Sequence, residues 1–280
     1  MKQMATAILT VACIVALGQA ANAADVARPA YKVASAPVAN WSGIYAGFHA
    51  GWGQTSGDPG AASLSTTGYA SPVFETPNLN LKGNGPLFGG QLGFNWQINP
   101  SWVIGAEGDI TGTGLKSSAT GTPNCLPPFC GLLAPVPGAS QYMAQDINWL
   151  ASLRGRLGYS WGSSLFYVTG GAAWANISYR ADSADATWVC NGGGGGGAGC
   201  SYPASFDSTK TGWAVGAGYE AMITANWSLR AEYLYYSFGG TTASAAGTPA
   251  AACQVADCSA TYIFSATDIH TARVGVNYRF

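Results

Sequence analysis

The sequence predicts an all-β protein, an eight-stranded antiparallel up-and-down transmembrane β-barrel with short periplasmic turns and four long extracellular loops. Three observations predict it. Charge is scarce: 9% of the 280 residues are charged, while tryptophan numbers 10 and glycine 39, against about a quarter charged in ordinary soluble chains. No run of 18 apolar residues follows the N-terminal segment, so the sequence offers no spanning helix. Apolar residues instead recur at alternate positions in eight separate segments, the pattern of strands with one face in lipid. Abundant aromatics and a net charge of −1 argue against disorder. No basic stripe is present for nucleic acid.

Residues 1–23 read as a secretory signal peptide. Lys2 supplies the positive start, residues 5–17 the apolar run, and Ala21-Asn22-Ala23 an A-x-A cleavage site. Cys13 lies in the middle of that run, whereas a lipid-anchored cysteine sits at its end. Residues 24–40, "ADVARPAYKVASAPVAN", form a Pro- and Ala-rich periplasmic leader. The barrel is expected over 41–280, with no peptidoglycan-binding domain after it.

The strands follow in order. The first, 42–54, alternates on Ile44 and Phe48, and the second, 85–99, on Phe88, Leu92 and Phe94. The third, 101–115, sets Ile104 against Glu107 and Asp109, and the fourth, 146–160, sets Leu153 against Arg154 and Arg156. The fifth, 164–178, carries Val168; the sixth, 210–224, sets Val215 and Tyr219 against Glu220. The seventh, 227–238, opposes Leu229 and Tyr233 to Arg230 and Glu232. The eighth, 263–280, opposes Val274 and Val276 to Arg273 and Arg279. Tight turns, "NPS", "WGS" and "TANW", join strands two–three, four–five and six–seven, while the other connections run to roughly 25 to 30 residues. That alternation of short and long belongs to an outer-membrane barrel with both termini in the periplasm.

Charge parity and tryptophan placement separate a membrane barrel from a soluble sandwich. All nine strand charges named above fall on one parity. An arginine facing lipid at mid-bilayer costs roughly 2–4 kcal/mol, so the charged face is expected inward. Trp41, Trp96, Trp102, Trp161 and Trp227 flank the short turns and the start of the first strand, and Trp52, Trp149, Trp174 and Trp213 lie toward the opposite strand ends. Two aromatic belts at the two membrane surfaces are the expected result.

An eight-stranded barrel is only wide enough for its own side chains. Glu107, Asp109, Arg154, Arg156, Glu220, Arg230, Glu232, Arg273 and Arg279 are therefore expected to pair as a luminal plug. The competing reading is a narrow porin-like channel for small hydrophilic solutes, lined by Arg154, Arg156, Arg230 and Glu232. Six cysteines outside the signal fall in three loop pairs, Cys125–Cys130, Cys190–Cys200 and Cys253–Cys258. In an exported chain these read as disulfides, and local pairing is the expected choice among fifteen connectivities. With no histidine near those cysteines, neither a metal nor any other cofactor is expected. The "GGGGGG" run at 192–197 lacks the strand–helix context of a phosphate loop and reads as a spacer. His49 faces the lumen. His270, with Asp268 or Ser265 near it in sequence, is the candidate for an enzyme acting on lipid A. A lone histidine at an interface more often anchors by hydrogen bonds, so no catalysis is expected.

The opening "WSGIYAGFHAGWG" resembles the W-[ST]-G-x-Y-x-G start of a small alphaproteobacterial family of outer-membrane surface-antigen barrels, the "porin family" proteins. "RGRLGY", "YVTGGAAWA", "GAGYEAMITANWSLRAEYLYY" and "HTARVGVNYRF" resemble its later strands in the same order. The resemblance implies an OmpA-type barrel in a Gram-negative outer membrane, with roles in envelope integrity and surface contact and sometimes slow solute passage. It brings no catalytic residues. It implies outer-membrane lipids and lipopolysaccharide as surroundings, and a barrel-assembly machinery that reads the terminal aromatic strand through Tyr278 and Phe280. The cysteine pairs and the glycine run depart from the family pattern.

Overall fold

The computed structural model describes residues 40–56, 59–65, 74–125, 134–135, 139–185, 200–246 and 259–280. The signal peptide, all of the leader but Asn40, the glycine run and Cys130, Cys190, Cys253 and Cys258 lie outside the described residues, and the expected disulfides with them.

Eight long strands form a ring: β1 (Gly43–Thr55), β2 (Gly83–Gln97), β3 (Trp102–Gly121), β4 (Ser140–Trp161), β5 (Ser164–Asp185), β6 (Ala204–Met222), β7 (Trp227–Phe238) and β8 (Thr267–Arg279). Each pairs antiparallel with the next. β8 closes on β1 from Tyr45 opposite Arg279 to Thr55 opposite Ile269. The short turns have local causes. Gly162 takes φ 61° between β4 and β5, the left-handed conformation a two-residue hairpin turn requires. Asn99 Oδ1 accepts from the backbone N–H of Ser101 and Trp102 at 3.0 and 2.9 Å. Thr224 Oγ1 does the same for Asn226 and Trp227 at 3.3 and 3.1 Å. Side chains that mimic a backbone turn in this way favour tight reversals.

The outer wall is apolar: Phe48, Phe88, Leu92, Leu153, Val168 and Val274 are among the most exposed large hydrophobics. Trp96, Trp102, Trp161 and Trp227 ring one end, and Trp52 and Trp213 stand exposed at the other, with Trp149 and Trp174 half-buried at the same level. Trp41 corrects the predicted belt. It is 1% exposed and packs with Val103 and Leu165 as the floor of the barrel. It shares the inward parity of Tyr45, and its N–H donates to Gln97 Oε1 at 2.9 Å.

Beyond the outer tryptophans, β3 to β6 continue several residues past the expected limits. Period-two alternation persists there, with its sense inverted. Leu115, Met143, Ile147, Ile177 and Tyr179 now point inward and are buried, whereas Lys116, Asp146, Arg180 and Asp207 point out. Against β6 the register of β5 runs unbroken past Ala175, whereas against β4 it shifts by one residue between Asn176 and Ile177. The irregularity lies in the partner strand, between Ile147 and Trp149, and Asn176 Oδ1 accepts from Asn148 Nδ2 at 2.7 Å.

The predicted long loops contribute a second sheet. Its order is Thr241–Ala246, Ser259–Phe264, Pro59–Ser65, Phe74–Asn80, Asn124–Cys125 and Ala134–Pro135. The predicted eighth strand therefore divides: Ser259–Phe264 belongs to this outer sheet and only β8 to the ring. Ala62, Leu79, Tyr262 and Phe264 from the outer sheet and its flank join the inward residues of β3 to β8 in one apolar cluster.

Candidate functional site: the luminal charge network

The inward face below that cluster carries the charges, placed there by strand parity. Arg154 on β4 is the hub. One Nη2 donates to Glu107 at 2.7 Å and Asp109 at 3.0 Å, Nη1 reaches Glu232 at 3.1 Å, and Nε donates to Ser152 Oγ at 2.9 Å. Arg230 grips Glu107 with both terminal nitrogens, at 2.6 and 3.1 Å, and Glu232 at 2.8 Å. Arg273 joins Asp109 at 3.2 Å to Glu232 at 2.9 Å. Arg156 pairs with Glu220 and lies 3.6 Å from the centroid of the Tyr167 ring, a cation–π contact.

Neutral groups extend the network. Tyr45 Oη donates to Glu107 at 2.7 Å and accepts from Arg156 at 3.2 Å. Glu220 accepts from Ser228 at 2.5 Å and from Asn277 at 2.9 Å. Asn277 accepts from Gln91 at 2.7 Å. Gln91 Oε1 accepts from His49 Nδ1 at 2.6 Å, and His49 Nε2 accepts from Thr111 at 2.9 Å. Every strand of the ring thus contributes at least one member. Two glycines make room for the tyrosines. A Cβ on Gly93 would fall 2.3 Å from the Tyr45 ring opposite it, and one on Gly218 would fall 2.4 Å from Tyr167. Such tyrosine–glycine cross-strand pairs cover the glycine backbone with a ring.

Four arginines meet four carboxylates here, and their side chains are 0–4% exposed. Buried charges demand such pairing, because an ion left alone in a low-dielectric interior costs several kcal/mol. Arg279 departs from the expected set of nine. It sits at the rim, donates to Ala225 O at 2.8 Å and Met222 Sδ at 3.4 Å, and lies 5.7 Å from the Trp41 ring centroid. Among the described residues it bridges no carboxylate.

His270 lies on the outer wall near the upper end of β8. Its Nδ1 is hydrogen-bonded to Tyr233 Oη at 2.5 Å and its Nε2 to Ser56 Oγ at 3.1 Å. Tyr235 packs against the ring at 5.1 Å. The partners expected from sequence stand elsewhere: Asp268 and Ser265 line a small polar cavity with Thr55, Gln145 and Thr267. Sequence reading missed Ser56 because it follows the strand by one residue and is distant from His270 in the chain. It also passed over Tyr45, Gln91, Tyr167 and Asn277, although they share the parity of the charges.

Comparison with known proteins bears on the whole chain. The family model described as "Outer membrane protein beta-barrel domain" matches residues 9–280. The 31 kDa outer-membrane immunogenic protein of Brucella melitensis is 30% identical over 247 residues, 86% of this chain and 84% of the relative. The 25 kDa outer-membrane immunogenic protein of Brucella abortus is 24% identical over 284 residues, covering all of both chains. Among solved structures, the outer membrane protein OprG from Pseudomonas aeruginosa superposes with a TM-score of 0.42 at 9% identity, over 85% of this chain and 97% of that one.

Proposed function

Because this chain belongs to the outer membrane protein beta-barrel domain family, we propose that its role in the Gram-negative outer membrane is structural and surface-presenting rather than catalytic or conductive. The ring is an anchor. Its short turns face the periplasm, and its outer sheet stands at the cell surface, where disulfides within the loops stiffen it. Relatives named as immunogenic outer-membrane proteins support a surface-exposed antigen. One observation carries the sealed-lumen reading. The charges that would line a solute path are tied to one another across five of the eight strands and buried, beneath an apolar core. His270 is read as an anchor. Its Nδ1 partner is the phenol of Tyr233, which lacks the negative charge that steadies an imidazolium in a hydrolase triad.

Planar-bilayer recording on refolded protein tests this. The expected trace shows no steady conductance. A steady conductance that disappears on changing Arg154 or Arg230, and is indifferent to changes in the outer sheet, overturns the sealed reading in favour of a narrow channel.

A further inference from the structure

Of the two histidines in the chain, His49 alone sits in the lumen, and its hydrogen bonds fix where its proton lies. The order of donors starts at Glu220, a carboxylate that only accepts. Asn277 Nδ2 donates to it at 2.9 Å, which leaves Asn277 Oδ1 to accept from Gln91 Nε2 at 2.7 Å. Gln91 Oε1 is then free to accept from His49 Nδ1 at 2.6 Å. Nδ1 therefore carries the hydrogen, and Nε2 presents a lone pair. That lone pair faces Thr111 Oγ1 at 2.9 Å and Arg273 Nη1 at 3.3 Å. A guanidinium has only hydrogens to offer, so the contact stands only while Nε2 is unprotonated.

The charges around His49 leave no place for a second proton. Those facing it are Arg273 from β8, Arg230 from β7 and Asp109 from β3. Gln91 on β2 and Thr111 on β3 are neutral, and Gly47 and Gly51, its inward neighbours on β1, have no side chain. Asp109 already holds Arg154 at 3.0 Å and Arg273 at 3.2 Å. The four arginines and four carboxylates of the network balance one another. An imidazolium here is a fifth cation without a counterion, on a residue only 4% exposed. A buried charge of that kind is costly.

We propose that His49 is an acid-sensitive latch, and that mild acid opens the lumen that is sealed at neutral pH. The proposal rests on the sealed-lumen reading. Any arrangement in which water reaches His49 takes up a proton that the sealed arrangement does not. The seal therefore has its full strength above the ordinary histidine value of about 6.5 and weakens as pH falls below it, by up to about tenfold per pH unit. Arg273 is the first contact to yield, since a proton on Nε2 turns its approach repulsive. Arg273 also joins Asp109 on β3 to Glu232 on β7, so its displacement loosens the network across the barrel.

The test is planar-bilayer recording of the whole refolded barrel from about pH 7.5 down to about pH 5, above the ordinary carboxylate range. Wild type is expected to be silent at the start, with an open probability that rises up to about tenfold per pH unit below about 6.5. His49→Gln offers Arg273 an amide oxygen and takes no charge, so it is expected to stay silent throughout. His270→Ala, which removes the other histidine from the outer wall, should open as wild type does. Urea unfolding in lipid vesicles at the same pH values reads the same linkage without conductance. The wild-type midpoint is expected to fall with pH and that of His49→Gln to hold, with His49→Asn in its place should His49→Gln not refold. A wild-type barrel silent over the whole range, or a His49→Gln barrel that opens or weakens in acid as wild type does, overturns the latch. Steady conductance already at neutral pH overturns the sealed reading instead.

Discussion

Arg154 reaches three carboxylates on two other strands, so its removal leaves Glu107, Asp109 and Glu232 buried with less positive charge than they need. Breaking a buried ion pair from one side costs about 3–5 kcal/mol. Arg154→Ala is therefore expected to lower the urea unfolding free energy of the refolded barrel in lipid vesicles by that amount. Arg279→Ala, at the partly exposed rim, should cost less than about 1 kcal/mol. A loss of under 1 kcal/mol for Arg154→Ala would mean that water enters the lumen and solvates the carboxylates, which the sealed reading does not allow. Parity made eight of the nine predicted charges legible in the sequence, since a lipid-facing arginine is so costly. The two exceptions meet at one rim, with Arg279 5.7 Å from the Trp41 ring centroid, where depth matters as well as direction. Trp41 shares an inward parity but was read from its place beside the first strand. Arg279 shares the parity of the network but stands below it, against the Ala225 carbonyl and the Met222 sulfur.

The strands carry a second message that period two alone cannot transmit. On β5, Ala173, Ala175, Ile177, Tyr179 and Ala181 are buried on the inward face, while Arg180 is exposed on the other. The same alternation lower down places apolar residues outward. The pattern keeps its period and reverses its sign where lipid gives way to water, which is why the sequence reading ended these strands near the tryptophans. The outer sheet was less legible still. "TTASAA" has no hydrophobic alternation, and Ser259–Phe264 pairs with Pro59–Ser65 from the other end of the chain. This tier has an alkaline signature. Burial pushes the phenols of Tyr262 and Tyr179, five residues past Trp174, up to about 12 from the usual 10. Tyr262 Oη also donates to Tyr202 O at 2.5 Å. A phenol whose folded pKa is raised stabilises the fold fully below pH 10, and that contribution is lost as pH rises toward 12. Tyrosinate absorbance should therefore show a late-titrating fraction near pH 12, with protease access to the outer sheet rising over the same window. All tyrosines titrating together near pH 10 would count against a packed outer tier.

At the scale of the whole molecule, the barrel is a sheet that must find its own edge. Trp149 and Trp161 lie twelve positions apart on β4, which at about 3.3 Å per residue and a tilt near 40° spans about 30 Å, the thickness of a hydrocarbon core. The seam of the cylinder is β8 on β1, and it ends in aromatic rings. Phe280 N–H donates to Ile44 O at 3.1 Å. Its ring packs edge-on against Tyr278 at 5.2 Å, and Tyr278 against Trp227 at 5.0 Å. Yet Phe280 is 76% exposed, so its ring contributes little to the folded barrel, and losing it should cost no more than about 1 kcal/mol. The family resemblance implies that the assembly machinery reads Tyr278 and Phe280, and we propose that Phe280 acts there rather than in the packing of the folded barrel. Phe280→Ala is accordingly expected to cut the amount of barrel assembled in cells several-fold. The same variant, refolded in detergent, should keep its unfolding midpoint nearly unchanged. Normal assembly in cells would remove the recognition role. A large loss of stability in detergent would return Phe280 to the structural seam.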